Sequence, residues 1–174
     1  MAPLLAAGQV AYEAERPPVT LTVGGSYSYF LANYASQKIM GIGAYAEFSP
    51  IVFDELGVEA EGHWLTMGGS SGFAEYTYLA GPRYKFNFGS SHNLHPYAKF
   101  LVGQGDIIFP HGLAAGHYFA MAPGGGVDYP LNRRIRIRAD YEYQIWLNAP
   151  GIPGTPSGSM KPNGVSVGLS YRIF

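Results

Sequence analysis

Five histidines, an alternating Glu-Gly-His string and a run of three glycines are the parts of this sequence that could carry chemistry. His92 and His95 are three residues apart, His111 and His117 six, and neither pair has a further ligand at useful spacing, so no metal site is expected. Glu59, Glu61 and His63 alternate, which on a strand would put a carboxylate–imidazole cluster on one face. Membership of an ionic filling is the expected role of that cluster, rather than catalysis. Gly124-Gly125-Gly126 precedes no Lys and lies in a strand pattern, so it is not a phosphate loop. The chain has no Cys, hence no thiol nucleophile, no thiolate metal site and no disulfide. No catalytic residue, metal or cofactor is assigned, and the chain is not expected to be an enzyme.

Those residues sit on elements with a period of two. In Arg134 to Trp146, Ile135, Ile137, Ala139, Tyr141, Tyr143 and Ile145 fall on one face, and Arg136, Arg138, Asp140, Glu142 and Gln144 on the other. A strand separates these sets and a helix would mix them. Val165, Val167, Leu169, Tyr171 and Ile173 repeat the pattern near the C-terminus. Similar segments near 19–29, 38–49, 55–66, 75–88, 96–105 and 117–129 bring the count to eight. Pro82 and Pro123 fall inside two of them, where each removes a ladder donor. Residues 1–18 are not strand-like and read as a tail or signal-peptide remnant, leaving 19–174 as the barrel.

Composition decides which solvent the strands face. Only 13% of residues are charged, 15% are aromatic, and the net charge is −1, with 14 Tyr and 24 Gly. A charge content about half that of an average soluble domain, without a basic surplus, excludes disorder and a nucleic-acid interface. No apolar run is long enough for a membrane helix. A closed barrel with its apolar face toward lipid satisfies both observations. The expected fold is therefore all-β, an eight-stranded antiparallel up-and-down transmembrane β-barrel. A soluble ligand-binding barrel would reverse the faces, but the polar faces are too rich in Gly and Ser to solubilise an exterior.

With the polar faces inward, Glu47, Glu59, Glu61, Arg83, Lys85, Lys99, Asp128, Arg136, Arg138, Asp140, Glu142 and Arg172 form an interior ionic network, six acids against six bases. The outward faces place Tyr29, Phe48, Trp64, Tyr76, Phe86, Phe88, Phe119, Tyr129, Tyr143 and Trp146 near strand ends, as interface aromatics would be. Eight strands leave a lumen just wide enough for side chains, so no continuous pore is expected. Short turns on one side and longer loops on the other put both termini in the periplasm. The long segment Leu147 to Pro162 is the expected site of partner contact.

The closing strand V-S-V-G-L-S-Y-R-I-F at 165–174 and G-G-G-V-D-Y at 124–129 resemble the eight-stranded outer-membrane protein β-barrel family, the class of the outer-membrane protein A transmembrane domain. The resemblance spans about residues 19–174. It implies a bacterial outer-membrane location, membrane lipid and lipopolysaccharide as surroundings, and handling by the barrel-assembly machinery, for which Phe174 is the candidate signal. Phe174 is, however, out of phase with Tyr171 and Ile173. The resemblance further implies a structural or surface-interaction protein working through extracellular loops, by self-association or a surface partner. No peptidoglycan-binding domain is expected after the barrel. A lipid-modifying outer-membrane enzyme or a small pore is the alternative.

Overall fold

The computed structural model describes residues 19–32, 37–50, 55–67, 73–87, 93–108, 115–149 and 158–174. Phe88, His92, His111, the tail 1–18 and the centre of the 147–162 segment lie outside the described residues. The strands are β1 (Val19–Ala32), β2 (Gln37–Pro50), β3 (Leu56–Thr66), β4 (Ala74–Lys85), β5 (His95–Ile108), β6 (Ala115–Pro130), β7 (Ile135–Tyr143), β8 (Ile145–Ala149), β9 (Gly158–Met160) and β10 (Asn163–Arg172). Every pairing is antiparallel.

These ten pieces make eight walls. β7 and β8 share one register against β6, since Gly124↔Glu142 and Met121↔Ile145 lie on the same diagonal. β9 and β10 likewise form one wall interrupted at Lys161 and Pro162. β1 pairs both β2 and β10, and β5 pairs both β4 and β6, which closes the sheet. Among the described residues closure leaves no edge strand, as an apolar solvent requires.

Alternation dictates the two surfaces. Val23, Tyr27, Ile42, Val58, Tyr78, Phe100, Val102, Tyr141, Val167 and Leu169 are exposed on the outside. Glu47, Glu59, Thr77, Arg83, Asp128, Arg138 and Glu142, on the opposite phase, are buried inside. The apolar surface is thus the outer one.

The two prolines are accommodated by gaps in single ladders. Between β4 and β5 the pairing stops at Ala80↔Val102 and resumes at Arg83↔Lys99, while Val58↔Pro82 keeps the other side intact. Pro123 pairs Phe100 on β5, and the seventh wall loses its pairing between Glu142 and Ile145 instead. A strand residue directs its N–H to one neighbour only, so a missing donor interrupts one ladder and spares the other. The seventh wall also carries a register shift between Trp146 and Ala149, where it pairs β9 and Asn148 adopts φ 57°, a left-handed conformation that Asn tolerates.

At the end of the barrel holding Val19 and Phe174, the β6–β7 turn is organised by Asn132, whose Oδ1 accepts from the backbone N–H of Arg134 and Ile135, both at 2.8 Å. This is the terminal end below; the opposite end, where β1–β2, β3–β4, β5–β6 and β8–β9 connect, is the loop end.

Candidate functional site

Two layers fill the interior. The layer nearer the terminal end is ionic. Arg83 has no exposed surface and lies between Glu47, Asp128 at 2.6 Å and Glu59 at 3.4 Å. Arg138 reaches Glu59 at 2.8 Å, Asp128 at 3.1 Å and Glu47 at 3.5 Å. Lys85 pairs with Glu47, and Arg136 lies 3.9 Å from Asp128. Two tyrosines complete the packing. The Arg83 guanidinium stands 3.6 Å over the Tyr97 ring, and Arg138 stands 3.9 Å over Tyr45. The delocalised, weakly hydrated guanidinium suits such stacking in a dry interior.

Toward the loop end, Lys99 gathers Glu61 at 2.6 Å, Glu142 at 3.1 Å, Asp140 at 3.2 Å and Glu59 at 3.5 Å. Tyr97 donates its hydroxyl to Asp140. Eleven of the twelve expected interior charges therefore take part in ion pairs. Arg172 has none among the described residues and is half-buried.

Above the ions the lumen is apolar. Phe30, Ile39, Leu65, Leu79, Leu101, Ile107 and Trp146 form a buried cluster with Ala120, Ala122 and Met160. The expected polar interior describes the ionic layer but not this loop-end part of the lumen. Leu79 and Leu101 occupy the inward phase between polar residues, and Phe30, Ile39 and Leu65 extend the inward phase at strand ends. Toward this end Glu75 is also buried, with Oε1 unpartnered among the described residues.

Trp146 is the second correction. It does not stand at the membrane interface but is fully buried inside. It falls on the phase of Glu142 and Gln144, so alternation carries it inward. There its Nε1 donates to Gln144 Oε1 at 2.8 Å, and Tyr118 stacks on it with ring centroids 6.4 Å apart. Gly105 makes the room: a Cβ there would lie 2.6 Å from Trp146 Cε2.

Of the other interface aromatics, Phe48, Phe86, Phe119 and Tyr129 are exposed on the outside, and Tyr29, Trp64, Tyr76 and Tyr143 are half-buried. Tyr27, Tyr78, Tyr84, Tyr141 and Tyr171 add to the outer aromatic surface. Trp64 donates its indole N–H to Tyr78 Oη at 3.1 Å, which satisfies a donor that lipid cannot. At the loop-end rim His117 Nδ1 and Asp106 Oδ1 are 2.7 Å apart. Leu21 N–H bonds the Phe174 carbonyl at 3.2 Å, and the Phe174 side chain is exposed.

Residues that the sequence reading did not assign are Tyr45, Tyr97, Gln144 and the apolar cap. Their common signal was phase: each lies on an inward position, but its residue type is not ionic.

Comparison with known proteins agrees with this architecture. A family model described as "Outer membrane protein beta-barrel domain" matches residues 1–172. No curated protein sequence matches significantly. Among solved structures, Neisserial surface protein A is similar with TM-score 0.63 at 14% identity, over 89% of this chain and 97% of that one. The attachment invasion locus protein of Yersinia pestis gives 0.53 at 16%, over 89% and 97%. The outer membrane protein OprG of Pseudomonas aeruginosa gives 0.52 at 16%, over 91% and 97%.

Proposed function

The chain belongs to the outer membrane protein beta-barrel domain family, and from that premise we propose that it is a sealed barrel working as a structural or surface-interaction protein through the loop end. It is a protein of the bacterial outer membrane. In this reading the terminal end faces the periplasm and the loop end faces outward. Membrane lipid and lipopolysaccharide surround the apolar wall. The barrel-assembly machinery reads the closing strand and Phe174, and the loops make contact with a surface partner or a second copy.

The filled lumen is the observation that carries the proposal. The ionic layer and the apolar cap lie in series and occupy the space a solute would need, so the loop end is where the molecule meets other molecules. The names of two similar structures, a surface protein and an attachment locus product, fit that role; at their identities the likeness itself extends to the fold.

Cells displaying the chain, compared with cells in which residues 150–157 are replaced by a Gly-Ser linker of equal length, test this reading. The expected outcome is equal assembly into the membrane, altered adhesion or self-aggregation, and unchanged lipid A. Steady conductance in planar bilayers, or a protein-dependent change in lipid A acylation, would overturn it.

A further inference from the structure

The twelve expected interior charges are six acids and six bases, but they are not matched in place, and Glu75 adds a further buried acid toward the loop end. The layer nearer the terminal end holds the cations Arg83, Lys85, Arg136 and Arg138 against Glu47, Glu59 and Asp128. Nearer the loop end, Lys99 alone faces Glu61, Asp140 and Glu142, and also touches Glu59. Three acids against one ammonium, capped by hydrocarbon, is a local deficit of positive charge in a medium that tolerates it poorly.

The deficit is focused on particular atoms. Glu61 Oε1 and Glu142 Oε2 are buried and neither accepts a hydrogen bond among the described residues, although the Lys99 ammonium lies 3.1 Å from Glu142 Oε2. His63 is close to both glutamates. One donor atom from each of Glu61, His63 and Glu142 falls within 4.8 Å of the others. A small cavity of about 10 Å³, roughly the room of one water-sized sphere, borders Glu61 and His63 together with Asp140 and Arg138, but not Glu142.

We propose that Glu61, His63 and Glu142 form a buried site for one divalent transition-metal ion of the zinc class. An imidazole with two carboxylates suits zinc better than magnesium or calcium, which favour all-oxygen surroundings. Zinc bonds of roughly 2.0–2.2 Å put tetrahedral donors roughly 3.4 Å apart, so ligand atoms now within 4.8 Å of one another would draw together on binding.

The surroundings already orient the ligands. His63 Nδ1 lies 3.3 Å from Thr77 Oγ1, which leaves Nε2 as the nitrogen for an ion. Phe30 covers the imidazole at a centroid distance of 5.4 Å. Gln144 donates to Glu142 Oε1 at 2.6 Å and accepts from Trp146, so Glu142 is held from the cap side. Gly43 gives the imidazole its space, since a Cβ there would lie 2.6 Å from His63 Cδ2. The ion would supply the two positive charges the cluster lacks, while Lys99 keeps Asp140 and Glu59.

The inference rests on the interior alone and is independent of the loop-end role. Its test uses the untagged full chain folded in detergent with Zn²⁺, or with Co²⁺ as a visible probe, followed by removal of free metal. About one ion per chain is expected, with Co²⁺ giving the visible absorption of a low-coordinate site. His63→Phe and Glu142→Gln, each checked for heat-modifiable migration, should bring metal content to background. Gln144→Leu should weaken binding by about 10–100-fold. His95→Ala and His117→Ala should change nothing. If both ligand variants fail to fold, the wild-type protein still decides: a higher thermal midpoint with Zn²⁺ than with chelator, together with the Co²⁺ absorption, supports the site. A wild-type protein that holds no metal, or ligand variants that bind as much as wild type, would overturn it.

Discussion

Arg83 shows what one residue does in this interior. Its guanidinium is wholly buried, engages Glu47, Asp128 and Glu59, and stacks on Tyr97. A methionine would fill much of its volume but leave three carboxylates short of a cation. Breaking one side of a buried ion network costs about 3–5 kcal/mol, so Arg83→Met should lower the unfolding free energy of the detergent-folded barrel by that order in a urea titration. Adding Glu47→Gln should recover part of the loss, because the second change removes one negative charge from a layer that the first left with one cation fewer, although Lys85 and Arg138 still reach Glu47. Equal, additive losses in the double variant would show that the two residues do not act as a pair.

At the scale of the strand, the outward phase carries the membrane and the inward phase the packing. Val167 is 58% exposed on β10, whereas Ser166, its neighbour, is buried and meets Ser28 Oγ at 2.8 Å inside. An arginine at the bilayer midplane costs about 2–4 kcal/mol. Val167→Arg should therefore destabilise the barrel in lipid by that amount, and the loss should shrink for Ile173→Arg near the terminal end. The same loss at both positions would mean that Val167 is not deep in the bilayer. Pro82 interrupts one ladder without ending a strand, whereas the gap opposite Pro123 separates β7 from β8.

For the whole molecule, closure and filling are separate achievements. Eight walls close the sheet, and the lumen is then blocked twice, by ions and by hydrocarbon. Removing the cap with Leu101→Ala and Phe30→Ala should cost about 2–5 kcal/mol for each truncation yet leave planar bilayers without steady current. Removing Arg138 and Lys99 as well should open a conducting path. Conductance from the cap variant alone would show that the ionic layer does not seal the barrel.

Strand number, the inward or outward face of most residues, and the membrane as solvent were legible in the sequence, because alternation is a local property and charge scarcity a compositional one. Arg136, Arg138, Asp140 and Glu142 sit on one phase in the primary structure and need no neighbour to reveal it. Trp146 was on the same phase, but its aromatic character suggested an interface role that only its contacts with Gln144, Tyr118 and Gly105 decide. Which acid meets which base was also beyond the sequence. Glu47, Arg83 and Asp128 come from three different walls, and barrel register sets their height. Residue order alone was enough to place an ionic interior behind an apolar wall, though it missed the buried Glu75. Tertiary structure decided that the charges separate along the axis, that hydrocarbon caps them, and that Glu61, His63 and Glu142 converge, because position along a barrel depends on the stagger of its strands and not on the order of residues within them.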